Sequence, residues 1–82
     1  MFINKTAEGR NNRCGENIAR LRTEMGISQR KLADMLQLGG LDIDKNAIQR
    51  IEAGKRFVTD IELVYFCKLF RVGYAELLDK KE

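Results

Sequence analysis

The chain contains no histidine and no proline, and only two cysteines among its 82 residues. Without histidine there is no imidazole for proton transfer. No nucleophile stands beside a base, no glycine-rich phosphate loop is present, and so short a chain leaves little room to enclose a substrate pocket. The sequence therefore predicts that this protein is not an enzyme. Cys14 and Cys67 lie far apart, with neither a CxxC partner nor a histidine to complete a zinc site. No metal, cofactor or small-molecule ligand is expected. Cys67 lies in an apolar run and reads as a buried small residue. Cys14, beside an end expected to be flexible, reads as a free thiol, and a structural disulfide is not expected.

Long hydrophobic runs are missing too. No stretch approaches the roughly 20 apolar residues of a membrane span, and Met1-Phe2-Ile3-Asn4-Lys5 lacks the hydrophobic region of a signal peptide. The expectation is a cytoplasmic, nucleoid-associated protein with no membrane partner. Aromatic residues make up only 7% of the chain, and Tyr65, Phe66 and Phe70 fall in a segment expected to be core. That leaves no stacking surface for single-stranded nucleic acid.

What is present fits one small globular domain: 44% hydrophobic and 33% charged residues, with a net charge of +3. The charge is unevenly placed. Residues 1–56 carry eleven Lys and Arg against seven Asp and Glu, a net +4, whereas residues 57–82 carry a net −1. A basic front half suits the phosphate backbone of nucleic acid, and equally an acidic protein partner.

Helical periodicity begins after residue 13. Residues 1–13, rich in Asn and basic side chains, read as a flexible N-terminal arm, residues 14–79 as the domain, and 80–82 as a charged tail. Ile18, Leu21 and Met25 recur at helical spacing from Glu16 until Gly26 stops the helix. Ser28 caps a second helix with Leu32, Ala33 and Leu36 on one face. A loop over Gln37 to Asp42 contains Gly39-Gly40, and Asp44 caps a third helix from Lys45 to about Ala53. Thr59-Asp60-Ile61-Glu62 fits a capping box, starting a fourth helix that runs to about Phe70. A short fifth helix is expected from Tyr74 to Leu78.

The third helix divides into two faces. Ile48 and Ile51 are spaced to bury together with Ala47, which leaves Lys45, Asn46, Gln49 and Arg50 outside. All four can donate hydrogen bonds. Arg and Lys suit the acceptor edge of guanine, and Asn and Gln can pair with adenine. A merely solvated polar face would look the same by this criterion alone.

The wider pattern separates the two. Ile18, Leu21-Arg22, Gly26-Ile27-Ser28-Gln29, Leu32-Ala33, Leu36, Ile48, Arg50-Ile51-Glu52, Gly54-Lys55-Arg56, Val72 and Glu76-Leu77-Leu78 together resemble the phage Cro and repressor-type helix-turn-helix family, XRE-like regulators. The resemblance covers roughly Gly15 to Leu78. It implies an all-α, compact five-helix lambda-repressor-like domain that binds double-stranded DNA as a homodimer and regulates transcription from a palindromic operator. By that resemblance Lys45, Asn46, Gln49 and Arg50 contact bases in the major groove, and Gln29, Lys55 and Arg56 contact phosphates. Arg22 and Glu52 form a structural ion pair. Relatives of this type also serve as antitoxins or antirepressors that bind another protein, which leaves an interaction module as the alternative.

Two departures from the family pattern are visible. The motif helices stand about five residues further apart than usual, through Gln37 to Ile43, and Leu38, Leu41 and Ile43 are apolar enough to anchor a lengthened turn on the core. Arg71 and Gly73 stand where the family tends to have a helix-ending glycine and a serine cap. The fourth helix is also hydrophobic nearly all round. Leu63, Phe66, Cys67 and Phe70 form one stripe, leaving Ile61, Val64, Tyr65 and Leu69 to be covered by a partner subunit, by Met1-Phe2-Ile3, or by the fifth helix.

Overall fold

Five helices follow one another in the computed structural model, which describes residues 4–80: α1 (Gly15–Glu24), α2 (Gln29–Leu38), α3 (Lys45–Glu52), α4 (Asp60–Phe70) and α5 (Tyr74–Leu78). Among the described residues there is no strand, and no helix is long and apolar enough to cross a membrane. The all-α, five-helix architecture expected from the sequence is the one observed.

Three helix starts are fixed by side-chain caps. Ser28 Oγ accepts from the Lys31 amide at 3.0 Å, and Asp44 Oδ1 accepts from Ala47 at 2.8 Å. At α4 the capping box closes both ways, with Glu62 N donating to Thr59 Oγ1 at 3.1 Å and Thr59 N to Glu62 Oε1 at 2.9 Å. Each such cap contributes about 1 kcal/mol by satisfying amides that the helix itself leaves without partners. Helix α1 starts without a side-chain bond from its N-cap residue, Cys14. The Gly15 amide instead donates to Asn12 Oδ1 at 2.8 Å, two residues before the cap.

The core draws on every helix: Ile18 from α1, Leu32, Ala33 and Leu36 from α2, Ile48 and Ile51 from α3, Phe66 and Cys67 from α4, and Leu77 from α5. Burying each large aliphatic or aromatic side chain contributes about 1.5 to 3 kcal/mol. Helix α2 packs on α3 and α4, while α1 packs on α3 and α5. The base of α3 is thereby held from two sides.

The lengthened turn, Gly39 to Asp44, folds back onto this core. Leu41 and Ile43 are buried, and the Gln37 side-chain amide donates to the Ile43 carbonyl at 2.7 Å. Leu38 does not anchor the turn: it is 89% exposed. It lies two residues, and so about 200° of helical rotation, beyond Leu36, which places it opposite the buried stripe. The ring of Tyr65 lies beside Gly40, where an added Cβ would meet it at 3.8 Å. The extra turn residues thus cover part of α4 within the same chain.

One expectation for the front of the chain is corrected. Cys14 does not lie at a flexible end but in the core, 1% exposed, and burial pushes its thiol up to about 11. The described part of the 1–13 arm forms no helix, yet it is bonded to itself and to the domain. Thr6 and Arg10 exchange bonds, from Thr6 N to the Arg10 carbonyl at 2.9 Å and from Arg10 N to Thr6 Oγ1 at 3.0 Å. Residues 10–13 then reach the carboxyl ends of α3 and α5. Met1-Phe2-Ile3, considered above as cover for α4, lie outside the described residues, as do residues 81–82 of the tail.

Candidate nucleic-acid interface

The geometry of α3 follows from Ile48 and Ile51, both 0% exposed against α1 and α2. With those two residues fixed inward, Lys45, Asn46, Gln49 and Arg50 stand exposed on the remaining face. None of these four side chains has a hydrogen-bond partner among the described residues. Their donors are free for an outside acceptor. The acids nearest this face along the chain are Asp44, exposed with one oxygen committed to its cap, and Glu52, whose carboxylate is engaged by Arg22 and Gln29.

Behind this face, Arg22 and Glu52 form a two-bonded ion pair. Arg22 Nε donates to Glu52 Oε2 at 2.7 Å and Nη2 to Oε1 at 3.0 Å, while Nη1 reaches the Ile27 carbonyl at 2.9 Å. The Glu52 side chain is 8% exposed and that of Arg22 18%. The hydrogen bonds to Glu52 raise the affinity of the Arg22 guanidinium for its proton. The pair ties α1 to the last turn of α3 and, through Ile27, to the start of the motif.

The three residues read as phosphate contacts stand in different settings. Gln29 opens α2 half-buried, its Nε2 donating to Glu52 Oε1 at 2.9 Å. The second hydrogen on Nε2 remains available. Lys55 is exposed in the loop after α3, and its ammonium makes no hydrogen bond or ion pair among the described residues. Arg56 is engaged inside the chain: Nη1 donates to Glu62 Oε1 at 3.0 Å and Nη2 to Oε2 at 2.9 Å, and Nη1 also reaches the Phe57 carbonyl at 3.1 Å. These bonds raise the Arg56 pKa and, with the Thr59 cap, hold the Glu62 carboxyl below its ordinary value. The geometry brings Gln29 together with Arg22 and Glu52, and turns Arg56 toward α4.

Three further residues belong to this constellation. Arg10, Asn11 and Asn12 donate into the carbonyls at the end of α3 and the loop beyond it. In the sequence they lacked periodicity, the signal on which helix reading depends. The short amide side chains of Asn11 and Asn12 were the available hint, because amides suit carbonyls left open at a helix end.

The residues read as a dimer face also divide. Tyr65 and Leu69 are half-buried and pack against their own core. Ile61 is 67% exposed, and with Asp60, Leu63, Val64 and Tyr74 it lines a shallow groove between α4 and α5.

An all-helical domain in which two capped helices set an exposed, donor-bearing third helix against a fixed core is a helix-turn-helix DNA-binding fold. A family model for the helix-turn-helix, of the Cro/C1 and XRE-like type, matches residues 18–77. The chain belongs to that family, whose members are DNA-binding regulators. Comparison with curated proteins and with solved structures gives no significant match.

Proposed function

We propose that this chain is a sequence-specific transcriptional regulator of the repressor type, reading a palindromic operator as a homodimer with α3 in the major groove. The observation that carries this reading is the exposed face of α3, on which Lys45, Asn46, Gln49 and Arg50 have no partners among the described residues while Ile48 and Ile51 hold the opposite side. Free donors at successive positions of one helix face match the acceptor edges of purines.

Phosphate contacts fall to Lys55 and to the free hydrogen of Gln29 Nε2, which the Glu52 carboxylate orients. Arg56 contributes chiefly by bracing the loop through Glu62. Dimerisation runs through Ile61, Val64 and Tyr74, with Tyr65 and Leu69 supporting that face from behind. The same exposed apolar groove favours the second reading, an antitoxin or antirepressor module in which a different protein occupies it.

Alanine substitution separates the roles on DNA. Arg50→Ala is expected to cost about 1 to 3 kcal/mol and relax preference at one base position, while Lys55→Ala lowers the salt slope by about one unit without changing preference. Unchanged affinity and preference across alanine variants at all four α3 positions would remove the base-reading assignment.

A further inference from the structure

The carboxyl end of a helix exposes carbonyls that the helix cannot satisfy, and at α3 those carbonyls are taken up from outside. Arg10 Nη2 donates to the Glu52 carbonyl at 2.7 Å, Asn11 N to the Gly54 carbonyl at 2.7 Å, and Asn11 Nδ2 to the Lys55 carbonyl at 2.9 Å. Asn12 Nδ2 is shared between the Ile51 carbonyl at 3.0 Å and the Arg56 carbonyl at 2.8 Å, and its Oδ1 accepts from Gly15 N at 2.8 Å. One amide therefore joins the start of α1, the last turn of α3 and the far end of the loop carrying Lys55. Asn12 is 8% exposed, so these bonds are shielded from competing water.

The surrounding backbone is shaped for the same joint. A Cβ on Gly15 would collide with the Ile51 carbonyl oxygen, so only glycine lets α1 approach α3 this closely. Gly54 has φ +79° and lies under Arg10, whose Cζ would stand 2.7 Å from an added Cβ. Residues 10–15 lie outside the stretch that matches the family, which begins at residue 18.

We infer that residues 10–12 form a clasp that fixes the distance between the base-reading face of α3 and the phosphate-holding loop after it, with Asn12 as the positioning residue. The inference rests on the DNA-binding reading above. Base contacts tolerate misplacement of only about half an ångström, whereas phosphate attraction is long-ranged and forgiving. A loosened clasp thus lowers discrimination between sequences more than it lowers attraction to DNA as such.

The test uses the full chain with Asn12→Asp, which keeps the acceptor for Gly15 N but replaces the donor facing two carbonyls, and with the milder, more exposed Asn11→Ala. Affinity is measured for a selected site and for a scrambled duplex, below the unfolding temperature of each variant, alongside amide exchange in the free protein. The expected result for Asn12→Asp is a loss of about ten-fold or more in the ratio of specific to scrambled affinity. Scrambled binding should stay within about two-fold of wild type. Amides of Gly54, Lys55 and Arg56 should exchange faster while those within α2 do not, and Asn11→Ala should shift both readouts in the same direction to a smaller extent. If Asn12→Asp does not fold, the inference stands or falls on Asn11→Ala alone. Equal losses on both duplexes, or unchanged discrimination, would overturn the clasp while leaving the DNA-binding reading intact. A wild-type chain that prefers no sequence would instead remove that reading and this inference with it.

Discussion

Gln29 donates its side-chain amide to Glu52 across 2.9 Å, so the carboxylate that holds Arg22 of α1 also holds the first residue of α2. Three helices meet at one carboxyl group. Such a junction joins the two motif helices at a point away from the turn that connects them, and α3 keeps its exposed face beside the lengthened turn.

Removing that carboxylate leaves Arg22 partly buried without its ion partner. Glu52→Ala is expected to lower unfolding stability by about 2 to 3 kcal/mol, at or just below the range for breaking a buried pair, because Arg22 keeps some access to water and its bond to Ile27. Urea unfolding followed by circular dichroism measures it. A loss below about 0.5 kcal/mol would place the junction among surface pairs of little consequence.

Much of this was legible beforehand because it was local. Ser28, Asp44 and the Thr59–Glu62 box announced their helices, and the spacing of Ile48 and Ile51 determined which side of α3 faces out. Contacts between distant segments were not legible in the same way. The amides of Asn11 and Asn12 suit carbonyls at some helix end, but nothing in the run Arg10-Asn11-Asn12 says that this end lies some forty residues on, and the partner of Arg56 emerges only once α4 is placed beside the loop. Leu38 shows the limit of composition: read as an apolar loop residue, it was expected to anchor the turn, yet α2 continues through it and its angular position turns it to solvent. Arg71, standing where the family tends to have glycine, takes the left-handed conformation itself at φ 58°.

Cys14 offers a check on the packing of the front segment. Burial keeps its thiol protonated well above the ordinary value near 9, so alkylation by iodoacetamide at pH 8 is expected to modify Cys14 only in unfolded protein. The sign of the linkage follows from the raised pKa. The stabilising contribution is complete below the unfolded value and is lost as pH rises from about 9 toward 11, because only the unfolded chain then releases the proton. Rapid labelling of the native protein would show that residues 4–13 do not shield the core.

The groove of Ile61, Val64 and Tyr74 can be separated from the residues behind it. Ile61→Glu is expected to convert a dimer on operator DNA to monomers with little loss of stability, since the side chain is already largely exposed. Tyr65→Glu, which places a charge against the core and the Gly40 turn, is expected to destabilise the fold itself. Mass measured by light scattering with and without DNA, together with thermal melts, distinguishes the two. A dimer that survives Ile61→Glu would place the interface elsewhere.

Selection of bound sites from random duplex DNA by the purified protein decides whether α3 reads sequence. Sequence reading by α3 in a homodimer predicts enrichment of a two-fold symmetric motif, with half-sites about one helical turn apart. It also predicts that the same selection with Arg50→Ala loses preference at one position in each half-site while retaining the rest. Failure of the wild-type protein to enrich any motif would contradict it, as would the same motif at full information from Arg50→Ala and from alanine variants at Lys45, Asn46 and Gln49.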